Sequence, residues 1–129
     1  MFIKIDFQSE IPIYTQLYNE IIKGIAKGEL LPGEALPSVR VFSQDLGINM
    51  HTVNKTYGLL KQDNFIQVHR QKGVEINPDG FPPADEVFLE KLRENLEPLV
   101  AESIARGMSH EEIIKECSKV FEKIGRKGE

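Results

Sequence analysis

The sequence is poor in the features that mark several large functional classes. It has one cysteine, Cys117, and no tryptophan in 129 residues, so no internal disulfide can form. Cys117 falls on an apolar helical stripe, where a small buried hydrophobe is expected rather than a reactive thiol. No apolar run approaches the roughly 20 residues that cross a bilayer, and no secretory leader is visible. A cytoplasmic chain without a membrane partner is expected. There is no glycine-rich phosphate loop, no His/Cys set at metal-ligand spacing and no nucleophile beside a base. His51, His69 and His110 are scattered. His110 does lie near Glu111, Glu112 and Glu116, but a solvated helix face accounts for that group. These absences argue against an enzyme, and no cofactor or metal is expected. Net positive charge is also lacking: the formal total is −4.

The distribution of charge is more telling than its sum. Residues 1–78 hold eight basic and eight acidic side chains, while residues 79–129 hold eight and twelve. Between residues 36 and 72, Arg40, Lys55, Lys61, Arg70 and Lys72 are offset only by Asp45 and Asp63. His51 and His69 can add to that local excess. Attraction to phosphate depends on the contacting face and not on the total. The acidic tail is expected to point away from a polyanion.

The stretch from residue 36 to residue 60 reads as two short helices joined by a tight turn. Ser38 can cap the first, because its oxygen accepts a free N–H of the first turn. Val39, Phe42 and Leu46 give that helix one apolar face. Gly47 suits the left-handed backbone of a helix end. Asn49 can cap the second helix, with Val53, Tyr57 and Leu60 facing inward. Its other face carries Met50, His51, Thr52, Asn54 and Lys55, which is polar and basic. Two short helices in this arrangement suit a helix-turn-helix, the second lying in a major groove. Residues 65–69 and 73–76 then alternate apolar with polar around Arg70-Gln71-Lys72. A basic-tipped hairpin in this place is the wing of a winged helix.

Upstream, residues 2–7 alternate like a strand and are expected to form an extended arm. Pro12 suits the start of a helix. Ile13, Leu17, Ile21 and Ile25 repeat one turn apart, flanked by Tyr14, Tyr18 and Ile22, until Lys27-Gly28. Residues 29–37 read as a loop punctuated by Pro32-Gly33 and Pro37. Downstream, residues 77–83 read as a linker. A long helix is expected over residues 84–106, with Leu89, Leu92, Leu96 and Leu99 at seam spacing and Pro98 bending it. Ser109 and Glu112 form a capping box for a last helix. That helix aligns Ile113, Cys117, Val120 and Ile124, with Ile114 and Phe121 beside them, and residues 125–129 are expected to fray. The two tail helices carry more apolar surface than they can bury on each other. A second copy of the chain is the favoured cover.

Several short pieces of this sequence stay in register with a known pattern. They are Pro12-Ile13-Tyr14 with Gln16-Leu17, Gly28-Glu29-Leu30, Pro32-Gly33-Glu34, Leu36-Pro37-Ser38-Val39-Arg40, Leu46-Gly47-Ile48-Asn49 and Thr52-Val53. Each is weak alone, but the ordered set over the first 76 residues is specific. In these pieces the chain resembles the GntR family of bacterial transcription regulators, and its short helical tail is similar to the YtrA-type branch.

The resemblance implies a mainly α fold with a small β-hairpin, that is, a winged helix-turn-helix over residues 1–78. A two-helix dimerisation region follows over residues 79–129. It implies a homodimeric repressor on a palindromic DNA operator; the alternative is a winged-helix protein-interaction module that does not bind DNA. Arg40 matches an arginine that contacts DNA in the family, and Thr52 a near-fixed position suited to a phosphate oxygen. Ser38 and Asn49 act as caps first and phosphate anchors second. His51 and Asn54 are candidates for base edges, and Lys55 for phosphate. Tyr57 could reach the DNA backbone, but core packing is favoured. Arg70, Lys72 and Gly73 form the wing tip. The family often has arginine where this chain has Met50 and Asn54. The YtrA-type pattern has proline and asparagine where it has Met50 and His51. At the wing, Gln71-Lys72-Gly73-Val74 keeps one glycine of the usual Gly-x-Gly-Thr.

Overall fold

The structure, a computed structural model, describes residues 3–125. It separates into two compact units, residues 3–82 and Pro83–Gly125.

The first unit runs α1 (Ile13–Ala26), β1 (Ala35–Leu36), α2 (Val39–Leu46), α3 (Met50–Gln62), β2 (Ile66–His69) and β3 (Gly73–Ile76). Leu17 and Ile21 of α1, Val53 and Leu60 of α3, Ile66 of β2 and Ile76 of β3 are all sealed from water. Leu30, Leu36, Phe42, Tyr57 and Val74 complete the same core. Burial of each large aliphatic side chain contributes about 1.5–3 kcal/mol, so this single cluster is the main reason three short helices hold together. Gly24 is part of that packing. A Cβ there would sit 2.9 Å from Leu30 Cδ1, so a larger residue at position 24 would make the Leu30 side chain shift.

Two expectations about this unit need correction. Residues 3–6 form no strand; Phe2 lies outside the described residues. Ile3 and Ile5 still pack on the core, as an arm would. The backbone of the arm is satisfied by a side chain instead of a sheet. The Asp6 N–H donates to Gln16 Oε1 at 2.8 Å, and Gln16 Nε2 donates to the Asp6 and Ile11 carbonyls at 3.0 and 2.8 Å. The second correction is β1, which lies within residues 29–37, read from sequence as loop. It pairs antiparallel with β3, Leu36 opposite Val74, and the sheet has the order β1-β3-β2. The pairing continues one step further. Gly33 N–H donates to the Ile76 carbonyl and Ile76 N–H to the Glu34 carbonyl, both at 2.8 Å. The hairpin itself has Val68 opposite Val74 and His69 opposite Gly73.

The second unit holds α4 (Glu86–Ala105) and α5 (His110–Ile124). Asp85 caps α4, accepting from the Phe88 N–H at 2.8 Å, and Pro98 lies inside the helix. Ser109 and Glu112 close both bonds of the capping box. The Ser109 backbone N–H, and then its hydroxyl, hold the Glu112 carboxyl below the usual value.

Neither helix buries a residue fully. Leu89, Ile113 and Ile124 are half-buried, whereas Leu92, Leu96, Leu99, Val120 and Phe121 are exposed. Cys117, expected to be buried, is exposed as well. The reason is the same for all of them: two helices on their own are too small a unit to bury both apolar stripes. The fraying expected at residues 126–129 lies outside the described residues. No helix among those described is long and apolar enough to cross a membrane.

Candidate nucleic-acid interface

The local sequence sets the two helices of the helix-turn-helix. Ser38 Oγ accepts from the Val41 N–H at 3.2 Å, and Gly47 ends α2 at φ +68°. The Ile48 N–H then donates back to the Ser43 carbonyl at 3.0 Å, which makes the turn compact. Asn49 Oδ1 accepts from the His51 N–H at 2.7 Å and starts α3. Both caps point their side-chain oxygens at helix N–H groups, as the sequence implied.

α3 is anchored by more than apolar packing. Thr56 is fully buried, and its hydroxyl donates to the Tyr14 carbonyl of α1 at 2.9 Å. Tyr57 is buried in the core, and its hydroxyl donates to the Pro37 carbonyl at 2.6 Å, one residue before the cap of α2. Burial pushes the Tyr57 phenol well above its usual range. These two bonds join α3 to α1 on one side and to the start of α2 on the other. Sequence reading missed Thr56. It lies three residues after Val53 and four before Leu60, on the same stripe, and that spacing was the available signal.

The outer arc of α3 presents Met50, His51 and Asn54, all exposed. At 3.6 residues per turn these three fall within an arc of about 100°. Lys55 is exposed on the flank of that arc, with Nζ 3.8 Å from the centroid of the Tyr14 ring. The ring face attracts the cation and limits where it can swing. Thr52 is half-buried. Ser38, Arg40 and Asn49 are exposed, and Arg40 forms no ion pair among the described residues.

At the wing, Arg70, Lys72 and Gly73 are exposed around the turn that closes the hairpin. His69 does not extend this basic surface in the way anticipated. Its Nε2 lies 2.7 Å from Glu75 Oε1, so the ring faces a carboxylate of the neighbouring strand.

A compact three-helix head, a capped and exposed helix and a basic-tipped hairpin define a winged helix-turn-helix regulator of transcription. The chain belongs to the gntR family of bacterial regulatory proteins, whose pattern it matches over residues 13–76. It is similar to the HTH-type transcriptional repressor YtrA of Bacillus subtilis (strain 168), at 31% identity over 119 residues, covering 90% of this chain and 92% of YtrA. A solved structure of a transcriptional antiterminator from Listeria monocytogenes EGD-e superposes with a TM-score of 0.90 at 28% identity, covering 100% of this chain and 98% of that one. The DNA-binding domain of AraR, solved in complex with operator ORX1, superposes with a TM-score of 0.53 at 25% identity, covering 59% of this chain and 98% of that one.

Proposed function

We propose that the chain acts as a homodimeric repressor that reads a palindromic operator with α3 and straddles it with its wing. The carrying observation is the exposed arc of Met50, His51 and Asn54, held rigid from behind by the Thr56 and Tyr57 bonds. In this reading His51 and Asn54 meet base edges, the asparagine having the donor and acceptor that an adenine edge requires. Arg40 contacts DNA from the first turn of α2. Lys55, Thr52 and the exposed ends Ser38 and Asn49 meet phosphate and set the register. Arg70, Lys72 and Gly73 approach the backbone or minor groove beside the site. A DNA-binding role fits a protein of the cytoplasm, and none of these roles calls for catalysis.

The dimer rests on the tail. Leu92, Leu96 and Leu99 of α4 and Val120 and Phe121 of α5 are exposed, with Phe121 67% accessible. Leu89, Ile113, Cys117 and Ile124 share those stripes. A twofold partner would cover them, and a dimer reads two half-sites. Repression is favoured by the name of the YtrA relative.

Titration of the full-length chain with duplex from its own upstream region, over a range of salt, tests the reading. Log affinity should fall linearly with log salt, by about 0.9 for each phosphate neutralised. A partner bound with no salt dependence would favour the protein-interaction alternative. A monomeric mass at micromolar concentration would refute the dimer.

A further inference from the structure

We infer that Met50 reads a thymine methyl, so that each half-site carries a thymine opposite the first turn of α3. This rests on α3 being the recognition helix and goes on to name a base that the helix selects. Met50 is the first residue of α3, directly after the Asn49 cap. The cap bond to the His51 N–H fixes the backbone there, so the side chain leaves the helix from a set point. It is 48% accessible, and no other large apolar side chain on α3 is exposed. Its neighbours on the arc, His51 and Asn54, are polar.

The chemistry of the side chain limits what it can recognise. A thioether has no hydrogen to donate and accepts only weakly. It cannot satisfy the O6 and N7 acceptors of guanine or the acceptor-donor pair of adenine. The apolar group offered by the major-groove edges of the base pairs is the thymine C5-methyl. Methionine, unbranched and with three rotatable bonds, can follow such a group as the helix settles. The same contact would shed water from an apolar side chain that folding leaves wet. Met50 then specifies by shape and desolvation, while His51 and Asn54 specify by hydrogen bonds.

The test separates this inference from the reading beneath it. Duplexes are selected from a random pool by the full-length chain, and each thymine in the selected site is replaced in turn by uracil. That exchange removes one methyl and leaves pairing intact. At one position in each half-site uracil should weaken binding roughly fourfold, the equivalent of one buried methyl group. Met50→Ala should bind the thymine duplex more weakly, and at that position it should no longer distinguish thymine from uracil. Alanine suits the first turn of a helix, so the variant should fold. Two results would overturn the inference while leaving DNA binding intact: no position sensitive to uracil, or equal sensitivity in Met50→Ala. A pool that enriches no sequence would instead overturn the reading of α3 itself, and this inference with it.

Discussion

Tyr57→Phe removes a single oxygen from the centre of the reading motif. The ring stays, so its tilted packing against Phe42, with centroids 6.1 Å apart, should persist. What goes is the 2.6 Å bond from the hydroxyl to the Pro37 carbonyl. A neutral buried hydrogen bond is worth about 0.5–1.5 kcal/mol net, and here the abandoned carbonyl adjoins a side chain only 4% accessible. The expected loss is therefore about 1 kcal/mol. It is read as a lower urea midpoint at pH 7 with unchanged slope, at one fixed protein concentration, because association shifts apparent stability.

A second signature comes from pH. Burial holds the Tyr57 phenol above its ordinary value of 10.0. The folded state then stays protonated while the unfolded chain ionises. The stabilisation is complete below pH 10 and declines as pH rises through the folded value, by at most about 1.4 kcal/mol per pH unit per phenol. Tyr18 is raised in the same direction, first by burial and then by its 2.6 Å bond to Asp63. The wild type thus has two such groups and Tyr57→Phe has one. Its stability should decline less steeply between about pH 10 and 11. Equal midpoints at pH 7 together with parallel alkaline curves would show that the phenol holds nothing in place.

Other perturbations address the surface. Arg40→Ala should lower operator affinity by about 1–3 kcal/mol if the guanidinium grips a base edge; an unchanged titration removes it from the interface. Lys55→Ala should weaken all sequences alike and flatten the salt slope by about one unit. His51→Ala and Asn54→Ala should instead change which sequence a random pool yields. Leu96→Glu should convert the chain to a monomer by mass. In that variant Cys117 should react with a thiol reagent as fast as in denatured protein, whereas in the wild type it should be slowed.

The head of the molecule was legible because its signals are local. Ser38, Gly47 and Asn49 each act within a few residues of themselves, and the Val53-Tyr57-Leu60 stripe needs only the helical period. What escaped was long-range. β1 has two residues and no pattern of its own; it exists because β3 lies beside it. The Gln16 amide bonds reach ten residues back along the chain, and the Thr56 bond spans 42. No spacing rule links such partners. Residues 2–7 alternate as a strand should, yet alternation reports only which side chains face inward, not whether another strand is near. Cys117 shows the reverse error: its stripe is real, but a stripe says nothing of what covers it.

The sheet order places β3 between β1 and β2, so the wing is stitched to the segment that leads into α2. The root of the wing and the reading motif therefore behave as one solid part. Inserting residues at the root would break pairs that the head depends on. Beyond the last pair, His69 opposite Gly73, only the turn of Arg70, Gln71 and Lys72 is unconstrained by the sheet. Over evolutionary time that tip is where this protein can lengthen or exchange residues without disturbing how α3 is packed.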